Sequence, residues 1–120
     1  MIDKKEIKRT LQLFKTCGPL FLALGDNIRQ NLLLDMANAG DKGMNVTELT
    51  ANTHLSRPAI SHHLKVLKDS HLIKSYKIGP QVFYSLDLKD NIKELKILIA
   101  SIEAIVDKIS AAGAAVTASL

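Results

Sequence analysis

The chain has 120 residues, of which 47% are apolar, so it can form one hydrophobic core and is too apolar for a disordered protein. Its single cysteine excludes an internal disulfide and a zinc site made only of cysteines. The N-terminus is charged and lacks an apolar signal segment, and the stretch 97–106 is too short to span a bilayer. We therefore expect a cytoplasmic protein with no membrane partner.

The net charge of +4 is concentrated in the middle of the chain. Residues 57–86 hold five Lys and Arg against one Asp, whereas the segments on either side nearly balance. A local basic surface is what contact with nucleic-acid phosphates requires. By charge alone, however, this segment is equally compatible with an ordinary solvated surface.

Two helices are predicted in the first third of the chain. The first covers 4–16, where apolar residues recur at helical spacing: Ile7, Leu11 and Phe14. Gly18-Pro19 is expected to interrupt it. A second helix is predicted over about 20–38, with Asp26 capping its main part. Its buried stripe is expected to be Ile28, Leu32, Leu33 and Met36.

Two shorter helices joined by a tight turn are predicted between 47 and 70. Thr47 is expected to cap the first, and Ser56 the second, which tolerates Pro58 in its first turn. The second helix should bury one face, made of Ile60, Leu64 and Leu67. This is the helix-turn-helix arrangement, whose second helix enters the major groove of DNA.

The rest of the chain predicts a hairpin and a long helix. β-rich runs at 73–78 and 82–86 flank Gly79-Pro80, and a last helix is predicted from about Leu88 to Ser110, followed by a tail, 111–120, that frays. The predicted fold is mainly α with a small β-hairpin: a winged helix-turn-helix with extra N- and C-terminal dimerisation helices. Within this single domain, 1–120, the dimerisation helices are 1–18 and 88–112, the helix-turn-helix is 47–70 and the wing is 72–87.

The candidate DNA-binding residues lie on the second helix of the helix-turn-helix and on the wing. Arg57, Ser61 and Lys65 are four residues apart and can point together into a major groove, where Arg57 can donate two hydrogen bonds to guanine. A basic β-turn suits contact with the DNA backbone or minor groove. The predicted DNA-binding set is Ser56, Arg57, Pro58, Ser61, His62, Lys65, Lys74, Lys77 and Gln81.

The last helix carries an apolar seam that predicts a homodimer. Its apolar residues alternate steps of three and four, as in a heptad repeat, and so apolar a helix is expected to bury two faces. The alternative is a helix that packs only on its own core. The predicted dimer interface is Ile7, Leu11, Phe14, Ile92, Leu95, Ile99, Ile102 and Val106.

Three stretches of the chain resemble the ArsR/SmtB family of repressors. They are LALGDNIRQNLLLDM at 22–36, ELTANTHLSRPAISHHLKVLKDSHLIKSYKIG at 48–79 and VFYSLDL at 82–88. The Ser-x-His-Leu-x-x-Leu run from Ser61, together with the Asp26 and Arg29 pair, carries the resemblance most specifically. The resemblance implies a dimeric repressor that leaves its operator when an effector binds, with its first and last helices in the dimer interface.

The effector is left open by the sequence. Metal-sensing relatives place ligands at positions that here are Asn45, Thr47, Leu88, Asp90, Ser101 and Ala104. Only one of these is a carboxylate and none is Cys or His, so we expect no metal and no other cofactor. Cys17 is a candidate redox sensor, with a buried apolar role as the alternative. A small apolar ligand or a partner protein acting between the terminal helices is also open.

The sequence as a whole predicts a sequence-specific DNA-binding transcription regulator. We expect a dimeric repressor that binds double-stranded DNA at an inverted-repeat operator. No phosphate-binding loop, paired-carboxylate motif or nucleophile elbow is present, so we expect no catalytic residues and no enzyme. The alternatives are a winged helix that binds proteins and a non-specific architectural DNA-binding protein. Operator sequence, regulated genes and the choice between repressor and activator are left open.

Overall fold

The structure is a computed structural model that describes residues 2–118, with side chains described as far as Gly113. The helices are α1 (Lys4–Leu24), α2 (Asn27–Ala39), α3 (Val46–Ala51), α4 (Arg57–Asp69) and α5 (Lys89–Ala118), with a 3₁₀ turn at Gly40–Lys42. The strands are β1 (Met44–Asn45), β2 (Ile73–Ile78) and β3 (Gln81–Leu86). The chain forms two compact units: one holds the residues up to Gly18 and those from Ile92 onward, and the other holds Pro19–Asn91.

The second unit contains an antiparallel sheet of three strands in the order β1-β3-β2. The hairpin of β2 and β3 was predicted, and in its register Tyr76 lies opposite Phe83. β1 adds a third strand, because Met44 pairs with Tyr84 and Asn45 with Phe83. This pairing ties the start of α3 to the wing.

The core of the second unit lies between α2, α3, α4 and the sheet. The helix periodicity identified most of it, and the predicted inward face of α4 is confirmed. Ile28 differs from the prediction, since it is only half-buried. The buried apolar side chains of these elements and of the turn before β2 are Leu32, Leu33, Met36, Leu49, Ile60, Leu64, Leu67, Leu72 and Ile73.

α4 ends in a backbone turn that reverses the chain into β2. The amide of His71 donates to Lys68 O and that of Leu72 donates to Leu67 O, both at 3.0 Å. These two bonds form a Schellman motif, which requires a left-handed residue after the cap. His71 takes this role with φ +59°, a conformation that glycine adopts more easily.

The first unit pairs the N-terminal part of α1 with α5 in antiparallel orientation. Lys108 Nζ and Glu6 Oε2 form an ion pair at 2.6 Å, and the hydroxyls of Thr10 and Ser101 hydrogen-bond at 2.5 Å. From Glu6 to Thr10 along α1, the partner on α5 moves back from Lys108 to Ser101, so the two helices run in opposite directions. Leu98 is the fully buried leucine of α5 in this unit.

The predicted break at Gly18-Pro19 is wrong. α1 continues through Pro19 to Leu24, and the next helix starts at Asn27 and not near residue 20. Proline removes the hydrogen bond to the carbonyl four residues earlier. Cys17, Leu20 and Ala23, spaced by three, are all buried, so packing holds the helix on both sides of the proline.

Two further boundaries differ from the prediction. Asn45, and not Thr47, caps α3: its side chain accepts from the Glu48 amide, and Glu48 accepts from the Asn45 amide. The backbone is extended at Asn45 because the residue still belongs to β1. α5 extends to Ala118, beyond the predicted end at Ser110, because its last turns are rich in alanine, the strongest helix former. The last two residues of the predicted frayed tail lie outside the described residues.

Within the described part of the chain, none of the helices combines the length and apolar character that a membrane crossing needs.

Candidate nucleic-acid interface

The N-terminus of α4 is defined by a side-chain cap and a proline. Ser56 has an extended backbone, and its hydroxyl accepts from the Ala59 amide at 3.3 Å, as predicted. Pro58 lies in the first turn, where a backbone N–H has no acceptor within the helix, so proline loses no hydrogen bond there. This cap fixes where α4 begins, and so it places Arg57 in the first turn of the helix.

α4 separates a buried apolar face from an exposed polar one. Ile60, Leu64 and Leu67 are buried, whereas Arg57, Ser61 and Lys65 form an exposed row beside them. Of the remaining predicted DNA-binding residues, each is also exposed: Ser56, Pro58, His62, Lys74, Lys77 and Gln81. This exposed polar surface is the part of α4 that is available for contact with DNA.

Arg57 is held by a neighbour that the sequence did not identify. Its Nη1 donates to the hydroxyl of Thr47, in the first turn of α3, at 3.1 Å. Guanidinium has five N–H donors, so this bond leaves an edge with two parallel donors. Lys65, further along the face, pairs with Asp69 at 3.1 Å, but both side chains are well exposed, so this ion pair is weak.

The wing presents its polar side chains on both faces of the sheet. Side chains alternate along a strand, so Lys74 and Lys77, three residues apart, leave β2 on opposite faces. Gln81, at the start of β3, accepts from Asn45 Nδ2 at 3.4 Å. On the same face, Tyr76 stacks on Phe83 with ring centroids 5.7 Å apart. The hairpin is therefore anchored to the β1 edge.

A polar network joins α4 to the helices that precede it. Arg29 donates through Nε to Ala23 O at 2.8 Å and through Nη2 to Leu22 O at 2.9 Å, and so it caps the C-terminal end of α1. Its Nη1 lies 3.2 Å from His63 Nδ1. Arginine can only donate, so Nδ1 accepts and the His63 ring carries its proton on Nε2. This hydrogen bond connects α4 to α2.

Asp26 completes this network at the start of α2. Its carboxylate accepts from the Arg29 amide at 3.0 Å, which confirms it as the predicted cap. The bond from the Arg29 backbone, with lesser help from the charge of the Arg29 guanidinium, lowers the pKa of Asp26. The sequence pointed to Asp26 and Arg29 but gave no sign that both meet His63 of α4.

Residues 27–75, from the first residue of α2 into β2, match the profile of the family described as "Bacterial regulatory protein, arsR family". The chain is 34% identical over 76 residues to the transcriptional repressor SdpR of Bacillus subtilis. The matched region covers 61% of this chain and 81% of SdpR. The chain belongs to the ArsR family.

Solved structures agree with this family and confirm the predicted fold class. An ArsR-like transcriptional regulator from Rhodococcus sp. RHA1 matches with a TM-score of 0.78 and 25% identity, over 92% of this chain and 97% of that one. A homodimeric winged helix-turn-helix DNA-binding domain from Mycobacterium bovis, a possible ArsR-family regulator, matches with a TM-score of 0.59. The match covers 83% of this chain and 86% of the Mycobacterium bovis domain. Because the two sequences are only 19% identical, it supports the fold alone.

The terminal helices of this ArsR-family protein expose large apolar side chains. On α1 these are Ile7, Leu11 and Phe14, and on α5 they are Ile92, Ile99 and Val106, each between 45% and 54% exposed. Leu95 and Ile102 are half-buried. Exposed apolar surface of this extent is typical of a face that a partner covers.

Cys17, the candidate redox sensor of this ArsR-family protein, is almost completely buried, with 1% of its surface exposed. Burial, with a smaller contribution from the charge of Glu94, raises the pKa of its thiol. The thiolate is the reactive form, so this setting disfavours oxidation. The structure therefore supports the alternative role of Cys17 as a buried apolar residue.

The positions that correspond to metal ligands in relatives have other contacts in this ArsR-family protein. Asn45 caps α3, Thr47 accepts from Arg57, and Ser101 pairs with Thr10. No group of three or more His, Cys, Asp or Glu side chains placed to hold a metal ion occurs among the described residues.

Proposed function

We propose that this ArsR-family regulator is a dimeric repressor that binds a specific inverted-repeat DNA operator through α4. One observation carries the proposal: α4 exposes Arg57, Ser61 and Lys65 in one row along its surface, separate from the side chains that it buries in the core. A helix with this division of faces can enter a major groove without disturbing the core. The match to a named transcriptional repressor supports the same role.

In this proposal α4 reads bases and the wing contacts the DNA backbone. Arg57 at the start of α4 is placed to donate two hydrogen bonds to guanine O6 and N7. Lys77, near the tip of the wing, suits a phosphate or minor-groove contact, which adds affinity but little sequence preference. The concentration of positive charge in 57–86 supports this division.

A twofold dimer through α1 and α5 completes the proposal. The exposed apolar side chains of these helices supply the interface. Two copies of α4 related by a twofold axis read half-sites about 34 Å apart, one turn of B-DNA, which makes the operator an inverted repeat. A cytoplasmic location fits a protein that has to reach DNA, and we assign it no enzymatic activity.

The experiment is selection of bound duplexes from a random DNA pool with wild-type protein, Arg57→Ala and Lys77→Ala. We expect wild-type protein to enrich an inverted repeat with half-sites one helical turn apart. Arg57→Ala should lose about 1–3 kcal/mol of discrimination at one guanine of each half-site. Lys77→Ala should weaken all sequences alike and reduce the salt dependence of binding.

The outcomes distinguish three possible functions of this fold: sequence-specific regulation, protein binding and non-specific DNA binding. Retention of no DNA at low salt would indicate a winged helix used for protein binding. Retention with a small ratio of specific to non-specific affinity would indicate an architectural protein. Equal loss across all sequences for Arg57→Ala would refute Arg57 as a base reader, and enrichment of single, unpaired half-sites would refute the twofold arrangement.

A further inference from the structure

The junction of β1 and α3 contacts both DNA elements of the second unit. Thr47 accepts a hydrogen bond from Arg57 of α4 at 3.1 Å, and Asn45 donates one to Gln81 of the wing at 3.4 Å. These two side chains flank Val46, so one short stretch of backbone supports the reading helix and the hairpin together.

The hydroxyl of Thr47 is not needed to form α3. Asn45 caps the helix, and Glu48 completes the capping box with bonds of 2.8 and 3.2 Å. Thr47 itself is exposed in the first turn of α3. Its contact with Arg57 therefore adds little to the fold, and a different benefit has to explain it.

That benefit is the orientation of the Arg57 guanidinium. A free arginine side chain samples many rotamers, and ordering it on binding costs affinity. Thr47 engages one N–H of Nη1, which leaves the Nε and Nη2 donors parallel to each other. Two parallel donors match the O6 and N7 acceptors of guanine.

We infer that Thr47 is a positioning residue for operator recognition: it holds Arg57 in the orientation that reads guanine. The inference rests on the proposed function, because it assumes that Arg57 contacts a base. Thr47 itself need not touch DNA, and it acts by reducing the freedom that Arg57 loses on binding.

Asn45 extends the same arrangement to the wing. Its Oδ1 accepts from the Glu48 amide, so its Nδ2 is the end that faces Gln81. Gln81 must then accept through Oε1, and its Nε2 becomes the end of the amide that can donate to a DNA phosphate.

The test compares Thr47→Val, which keeps the side-chain shape but lacks the hydroxyl, with Thr47→Ser, which keeps the hydroxyl. Binding of both full-length variants is measured on the selected operator and on the same operator with the Arg57-dependent guanine replaced. Thr47→Val should bind the operator about three- to tenfold more weakly and discriminate less at that guanine. Thr47→Ser should bind and discriminate like wild-type protein.

The double variant Thr47→Val with Arg57→Ala isolates the mechanism. If Thr47 acts through Arg57, the double variant should bind no more weakly than Arg57→Ala alone. The inference is overturned if Thr47→Val discriminates at the guanine as well as wild-type protein does. It is also overturned if the double variant binds more weakly than Arg57→Ala by the same factor that Thr47→Val loses alone. Either result would leave the proposed function standing. If Arg57→Ala itself changes no base preference, the proposed function and this inference both fail. Thermal unfolding of Thr47→Val should match that of wild-type protein.

Discussion

Gly43 is the position where a single methyl group should disturb the sheet most. Its φ is +67°, and a Cβ built there would lie 2.4 Å from the carbonyl oxygen of Tyr84 and 3.3 Å from the Cβ of Ser85. The Tyr84 carbonyl belongs to β3, whose pairing with Met44 leaves it little room to move. Gly43→Ala therefore has to separate β1 from β3 or distort the turn before α3.

The expected loss has two parts. Gly43 combines its positive φ with ψ −165°, a region that essentially only glycine adopts, and a residue with a Cβ there costs about 1–3 kcal/mol. Forcing a methyl group against packed backbone costs a further 1–3 kcal/mol or so. We expect Gly43→Ala to lower the free energy of unfolding by about 2–6 kcal/mol, a large share of the roughly 5–15 kcal/mol of a typical domain.

Gly79 supplies the matched control. It has φ +60° at the tip of the wing, but no atom lies within 4 Å of a Cβ built there. Gly79→Ala should therefore lose only the backbone cost, about 1–2 kcal/mol. Both variants are unfolded in guanidinium chloride and followed by circular dichroism, at one protein concentration because a dimer's stability depends on it. Equal losses in the two variants would refute the reasoning from the Tyr84 contact.

Two further predictions concern α2 and α4. The pKa of Asp26 is lowered in the folded protein, so its charge stabilises the fold above the ordinary value of 3.8, and this contribution is lost as the pH falls through the lowered pKa. Asp26→Asn keeps the cap without the charge, so it should be less stable than wild-type protein near pH 7 and equally stable at the acid end of a titration of unfolding free energy. A pH-independent difference would contradict this. His71→Gly should raise the free energy of unfolding by about 0.5–1 kcal/mol in the same denaturant assay, because glycine adopts the left-handed conformation without strain. An unchanged or lower value would show that His71 makes a compensating contact.

The sequence predicted best where local and periodic signals agreed. The apolar stripe of α4 and the Ser56 cap lie within one segment, so spacing alone located both. The hairpin followed from two β-rich runs around Gly79-Pro80. The same local reasoning placed Arg57, Ser61 and Lys65 on one face, since residues four apart share a helix surface.

The errors arose where a local signal competed with packing. Pro19 is a helix breaker by itself, yet buried residues on both sides keep α1 continuous. Asn45 and Thr47 are both good caps, and the pairing of β1 with β3 decides between them. Cys17 was not an error but an open choice: it has no local feature that distinguishes a sensor from a core residue, and its burial is a property of the folded chain.

The order of the helices and strands, the polar face of α4 and the apolar seam of α5 were determined by the sequence itself, because each depends on the spacing of residues within one segment. Only the tertiary structure decided the contacts of Arg29 with His63 and of Thr47 with Arg57, which join residues 34 and 10 positions apart. Such contacts depend on how separate elements pack, and periodicity within a segment carries no information about the distance between two segments.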